Sequence, residues 1–194
     1  GYEETRALLD TWDKTTISSS LMGDGNVENP YQINSAADLA YFKENAQNMN
    51  GKFVKLMINV DMNQTNFMIT TFEGTFDGQN HTIYNLRITT FVGGSSYEGA
   101  ASGVGLFGHT HKNAVIKNVK IDGAVVSGNH YVGALVGYAY SSTIDSCAVS
   151  NAVVNVIING ATYTVEHEAG LFSGDDNTAS YYFNPNVNTE ITSV

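Results

Sequence analysis

Three seven-residue segments constrain the fold of this 194-residue chain more than any other feature. Thr82-Ile83-Tyr84-Asn85-Leu86-Arg87-Ile88, Val115-Ile116-Lys117-Asn118-Val119-Lys120-Ile121 and Thr143-Ile144-Asp145-Ser146-Cys147-Ala148-Val149 all carry apolar residues at their second, fifth and seventh places. That pattern fits neither the period of 2 of a strand nor the 3.6 of a helix. An inward residue, a two-residue interruption and then two inward residues at alternate places describe a strand bending into another strand. Asn85, Asn118 and Ser146 fall at the interruption, where short polar side chains tolerate left-handed backbone or hydrogen-bond the turn. The pattern recurs from Ile83 to Ile116 and again, after a slightly shorter step, from Ile116 to Ile144. Such steps suit a coil of two or three strands and are short for an α/β unit with its helix and loops.

A second block recurs alongside the first. Gly105-Leu106-Phe107-Gly108, Ala134-Leu135-Val136-Gly137 and Gly170-Leu171-Phe172-Ser173 each set two large apolar residues between small ones. Ala134 and Ser173 depart from the glycine positions, which indicates drift in the later coils. The composition agrees with a chain of strands and turns: 19 Gly, 21 Asn and 18 Thr far outnumber the 9 basic and 19 acidic side chains.

The flanking segments suit a capped stack. Ser35-Ala36-Ala37-Asp38 reads as a helix N-cap, and Leu39, Phe42, Ala46 and Met49 follow at spacings of three or four, which predicts a helix over 36–49 ended by Gly51. A stack of coils exposes its core at each end, so this helix, with Trp12 nearby, is expected to cap the N-terminal end. Residues 53–62 alternate as a strand. Residues 89–102, with Gly93-Gly94-Ser95-Ser96, read as a flexible loop that lengthens the first step between segments. Asn159-Gly160 between apolar runs predicts a hairpin over 153–166 projecting from the coil.

The repeated blocks resemble the GLUG-motif family of bacterial surface proteins, named for Gly-Leu-hydrophobic-Gly. Gly74-Thr75-Phe76-Asp77-Gly78-Gln79-Asn80-His81-Thr82-Ile83 resembles the segment that introduces such repeats. Trp12-Asp13, Gly23-Asp24-Gly25-Asn26, Asn29-Pro30-Tyr31-Gln32-Ile33 and Ser35-Ala36-Ala37-Asp38-Leu39 are similar to the lead-in of Bacteroidetes members. The resemblance covers residues 12–175. It implies a mainly β fold, a right-handed parallel β-helix or β-solenoid. The expected organisation is one domain, with residues 1–52 as lead-in and cap, 53–183 as coils and 184–194 as tail or cap. About five coils at about 4.8 Å per rung would form a rod on the order of 25 Å.

Charge and cysteine usage exclude some functions. With 19 Asp and Glu against 9 Lys and Arg, the net charge is -10, which disfavours nucleic acid or an anionic membrane as partner. No window supplies the about 20 apolar residues of a membrane-spanning helix, so direct membrane insertion is not expected. Gly1 stands where a starting Met would, and no signal peptide is legible. The expectation is a trimmed chain whose export signal went with the trimming. Cys147, the one cysteine, occupies the repeat place of Leu86 and Val119 and is expected to be a small buried hydrophobe, not a nucleophile.

Groups with chemical potential are few. Asp61, Asp77, Asp122 and Asp145 lie at strand ends or turns. Paired carboxylates could serve as acid and base at roughly 5 to 9.5 Å, but the repeats do not bring two acids into one equivalent column, so turn formation and solvation are the expected roles. His109 with His111, and Glu166-His167-Glu168, lack further ligands at a recognisable spacing and read as exposed polar surface; His81 and His130 read as corner residues. Asp24 with Asn26, and Asp175-Asp176-Asn177, read as turns without calcium. No cofactor or metal is expected. Surface aromatics are the remaining lead. Tyr138 and Tyr140 alternate on one face, and Tyr97, Tyr163, Tyr181 and Tyr182 fall in loops, hairpin or final segment; such rings stack on sugars or dock proteins. Candidate ligand-binding residues are Tyr97, Tyr138, Tyr140, Tyr163 and Tyr181. The expected function is a noncatalytic, secreted or cell-surface, adhesin-like scaffold or binding module for a glycan or surface protein. The alternative is a carbohydrate-active β-helix enzyme, a lyase or glycosidase, or its accessory domain.

Overall fold

Asn85, Asn118 and Ser146 share a backbone φ of 56°, the left-handed conformation that a sharp corner requires. In the computed structural model, which describes residues 9–89, 103–128, 131–158, 161–165, 172–173 and 189–193, each of the three ends one short strand just before the next begins.

The protein is mainly β, and the strands of the described residues form four sheets. Sheet one takes β1 (Leu9–Thr11), β4 (Asn59–Asp61), β7 (Thr82–Tyr84), β11 (Lys120–Asp122) and β15 (Ala148–Ser150). Sheet two takes β8 (Arg87–Ile88), β12 (Val125–Gly128), β16 (Val153–Ile158) and β17 (Ala161–Val165). Sheet three takes β5 (Ile69–Phe72), β9 (Phe107–Thr110), β13 (Val136–Ala139) and β18 (Phe172–Ser173). Sheet four takes β2 (Tyr31–Ile33), β3 (Phe53–Leu56), β6 (Thr75–Asp77), β10 (Val115–Lys117), β14 (Ser142–Asp145) and β19 (Thr189–Ser193). From β7 to β15 the chain visits sheets one, two, three, four and one again in unbroken rotation, and neighbouring rungs are parallel.

Inward residues stack in ladders. Val54, Phe76, Ile116 and Ile144 form one in sheet four, Val60, Ile83 and Ile121 another in sheet one, and Ile88, Val126 and Val154 a third in sheet two; all are 1% exposed or less. Each such side chain contributes about 1.5–3 kcal/mol of burial, and each shields the rungs above and below it.

The ladders correct the sequence alignment of the first segment. Ile83 pairs with Ile121 and not with Ile116, and Ile88 pairs with Val126. The segment 82–88 therefore turns the corner from sheet one to sheet two, while 115–121 and 143–149 turn the corner from sheet four to sheet one. The true step between the first two coils runs from Ile83 to Ile121 and is longer than the sequence pattern suggests, whereas the following step, from Ile116 to Ile144, is as expected. Left-handed backbone recurs at the shared corner of sheets one and two, at Asn85, Gly123 and Asn151.

Helix α1 (Ala36–Asn45) begins where expected and passes into a 3-10 turn over Ala46–Asn48. The Ser35 hydroxyl accepts the Asp38 N–H at 3.0 Å, and the Asp10 carboxylate accepts the Ala36 N–H. Leu39, Phe42, Ala46 and Met49 are buried. The Phe42 ring packs on Phe72, Phe76 and Phe107 at 5.2, 5.6 and 6.4 Å, so the helix covers the core at the edge that β5 forms in sheet three. Trp12 adds an edge-on contact to Phe67 at 6.0 Å.

Two other expectations change. Residues 53–62 are not one strand: β3 and β4 belong to different sheets, and the chain bends between them at Met57 and Ile58, where the Met57 N–H bonds the Ile33 carbonyl. The hairpin exists, with Ile158 opposite Ala161, but it does not simply project. Val153 to Val156 pair with β12, making β16 a rung of sheet two, and β17 adds one antiparallel strand at its edge. Asn159-Gly160 itself, like most of the loop at 89–102, lies outside the described residues. Among the described residues no helix is long and apolar enough to cross a membrane.

Candidate functional site

The four aspartates singled out in the sequence meet the corners. Asp61 pairs across with Tyr84, which pairs with Asp122, so these two acids share a column with one rung between them. Asp77 and Asp145 share another column, on either side of Lys117, and Lys55 extends it to Lys-Asp-Lys-Asp. The expectation that no two acids occupy one column is therefore corrected, because the alignment behind it was one corner out of phase.

Each of three aspartates clips its coil to the next. The Asn85 amide donates to Asp61 Oδ2 at 3.1 Å, the Asn118 amide to Asp77 Oδ1 at 3.2 Å and the Asn151 amide to Asp122 Oδ1 at 3.1 Å. Every donor sits on a left-handed corner one coil further along. Asp61 and Asp77 also accept the backbone N–H two residues on, from Asn63 and Gln79 at 2.7 and 2.9 Å. These are the bonds of Asx turns, and they hold the carboxylates as acceptors in a structural role. Asp24 likewise accepts the Asn26 N–H at 3.0 Å within its turn.

Cys147 lies 1% exposed in the core beside Val119, as expected, although Leu86 belongs to a different corner. Burial pushes its thiol up to about 11, which keeps it protonated and non-nucleophilic at neutral pH.

Aromatic and imidazole rings gather on the outer flank of sheet three. In β9 and β13, Phe107 and Val136 belong to the core cluster, whereas Tyr138, the register partner of His109, lies outside it, and the pairing of β13 with β18 shifts register between Val136 and Tyr138. A side chain at Gly137 would collide with the Val104 N–H and lie 2.6 Å from the Tyr131 carbonyl, so the glycine that closes the repeated block lets the chain segment 103–104 and Tyr131 fold against the sheet. His109 and Tyr138 have ring centroids 4.8 Å apart, His109 and His111 5.4 Å, His111 and Tyr140 5.5 Å, and Tyr138 and Tyr140 6.3 Å with planes 8° apart. Tyr131, which sequence reading passed over, lies tilted against Tyr138 at 4.7 Å and is fully buried.

This cluster corrects the reading of the histidines as exposed surface. His109 is 8% exposed and Tyr138 6%, while His111 and Tyr140 are half-buried. Of the candidate tyrosines, Tyr138 and Tyr140 are thus brought together, with Tyr140 the more accessible. Tyr163 lies in β17 opposite Val156; Tyr97, Tyr181 and Tyr182 lie outside the described residues, as do His130, Glu166-His167-Glu168 and Asp175-Asp176-Asn177. Beside the cluster, Glu73 and Lys112 form an ion pair at 3.5 Å. Among the described residues no group of three or more His, Cys, Asp or Glu is gathered in a way that could hold a metal.

Residues 128–155 match the family model of the GLUG motif. The match starts at the last residue of β12 and ends in β16, so it spans one full passage through the four sheets, and its length equals the step from Ile116 to Ile144. The chain is also similar to halomucin of Haloquadratum walsbyi, at 26% identity over 171 residues, covering 79% of this chain. It spans only 2% of that protein's length. No solved structure matches.

Proposed function

We propose that the chain is a right-handed parallel β-helix, a β-solenoid, serving as a noncatalytic, adhesin-like scaffold module of a secreted or cell-surface protein. Its flank at Tyr140 and His111 offers rings to a glycan or a protein partner. The observation that carries this reading is the fixed rotation of the chain through four sheets of parallel rungs, with a repeat step that coincides in length with the GLUG match. Similarity to a small fraction of halomucin, and the resemblance to surface proteins, support a module within a longer surface protein. The acidic balance and Asn-rich corners suit an extracellular rod, because they leave polar groups on loops while apolar ladders stack inside.

The expected outcome is retention of surface polysaccharide or surface protein in glycan arrays and pull-downs with the full chain, weakened by Tyr140→Ala. Retention no greater than background would reduce the role to that of a spacer. The enzyme reading rests on Asp61 and Asp122 sharing a column two rungs, or about 9.6 Å, apart. Their amide clips support a structural role instead. Product release from a polysaccharide panel, abolished by Asp122→Asn in a folded variant, would reverse the ranking.

A further inference from the structure

We infer that His109 is an acid-sensitive latch: neutral, its imidazole fills the ring cluster on the outer flank of sheet three, and protonated, it is expelled and loosens that flank. The motivating observation is a polar ring in a place without polar partners. His109 is 8% exposed, and neither Nδ1 nor Nε2 has a hydrogen-bond partner among the described residues. The neutral ring tolerates this because its faces lie near Tyr138 at 4.8 Å and His111 at 5.4 Å. An imidazolium would carry two N–H donors and a full charge in the same place, and burying a charge without acceptors is far more costly than burying a neutral ring.

The neighbours offer no relief. From β5 the facing residue is Thr71, the register partner of His109, with Glu73 beyond it already paired to Lys112. From β13 comes Tyr138, with Tyr140 just beyond the strand's end, and on the same side lies His111, whose charge repels a cation at His109. Tyr131 packs against Tyr138 at 4.7 Å. The ring face of Tyr138 attracts a cation, but neither imidazole nitrogen has a hydrogen-bond acceptor where it stands. Burial first, and the charge of His111 second, therefore hold His109 down to about 4. On acidification the ring leaves for solvent, on the side where His111 and Tyr140 are already half-exposed, and Tyr138 loses its packed neighbour.

The test is an acid titration of the full chain from pH 7.5 to 3.5, following the near-ultraviolet circular dichroism of tyrosine together with the far-ultraviolet strand signal. The expected result is a reversible tyrosine transition with its midpoint below pH 6 while the strand signal persists. His109→Phe, which keeps a flat ring that never charges, removes the transition. His111→Gln retains it and moves it to higher pH, because the repelling charge is gone. If His109→Phe does not fold at pH 7.5, His109→Gln and a nuclear magnetic resonance titration of the His109 ring serve instead. An unchanged transition in the His109 variants, a His109 ring that titrates near 6.5 without moving the tyrosine signal, or a transition that disappears with His81→Gln, His130→Gln or His167→Gln overturns the proposal.

Discussion

At the scale of the residue, the corners matter more than their share of the chain suggests. Asn118 does two things: it adopts left-handed backbone, and its amide reaches back one coil to Asp77. Asn118→Ala removes both, at about 1–2 kcal/mol for the backbone and about 1 kcal/mol for the bond. Asn118→Gly keeps the backbone and loses only the bond. Chemical denaturation should therefore rank wild type above Asn118→Gly and Asn118→Ala lowest; equal losses in the two variants would mean that the backbone conformation contributes nothing. Cys147 gives a residue-scale dependence on pH. Its thiol ionises at about 11 in the fold against an ordinary 9.0, so above pH 9 the unfolded chain releases a proton that the folded chain retains. Stability is therefore lost as pH rises from 9 to 11, by at most about 3 kcal/mol at 1.36 kcal/mol per unit. Cys147→Ala should flatten that alkaline loss. At pH 8 iodoacetamide should leave the native thiol unmodified and label it after denaturation.

At the scale of the element, the sheets reveal which features were legible in the sequence. The helix at Ala36–Asn45, the corners at Asn85, Asn118 and Ser146 and the hairpin around Asn159-Gly160 were readable because each is specified within a few residues, by a cap, a left-handed turn or a two-residue connection. The pairing of Ile83 with Ile121 was not, since a corner between sheets one and two imposes the same local pattern as a corner between sheets four and one. Register between coils is a long-range property, and no seven-residue pattern encodes it. The ring cluster was half legible: Tyr138 and Tyr140 alternate visibly, but Tyr131 and the burial of His109 depend on the fold of segment 103–104 over Gly137. Register also sharpens a substitution. Ile116 is fully buried between Phe76 and Ile144, so Ile116→Asp places a lone carboxylate in the core and should abolish cooperative melting. Lys117 lies outward between Asp77 and Asp145, and Lys117→Asp lines up three acids. It should cost about 1–2 kcal/mol, from two like-charge pairs at about 0.2–1 kcal/mol each plus the lost attraction. Added salt should restore most of that second loss and none of the first, which separates surface repulsion from core disruption.

At the scale of the whole molecule, the issue is whether the coils behave as interchangeable units. From Ile116 to Ile144, from Ile121 to Val149 and from Val126 to Val154 the step along the chain is identical, in three different sheets. If the coils stack as a solenoid, excising one whole step removes one rung from each sheet and leaves every inward column in register. Deleting residues 117–144 does this: it joins Ile116 to Asp145, so that Ser146 takes the corner of Asn118 and Cys147 the place of Val119. The shortened chain should keep its strand signal in circular dichroism and melt cooperatively at a lower temperature, because a stack loses the intrinsic and interface energy of one repeat. Deleting 117–143 instead falls one residue short of the step and retains Ile144 directly after Ile116. Every later residue then shifts by one place against the coil before it, and its inward side chains turn outward. That variant should aggregate or stay unfolded. The paired outcome discriminates between architectures, since a domain whose four sheets formed one indivisible core would lose both deletions alike. Survival of the whole-step deletion with failure of the shorter one requires that the four sheets be the faces of one winding, in which the Asp–Asn clips and the apolar ladders are renewed at each turn.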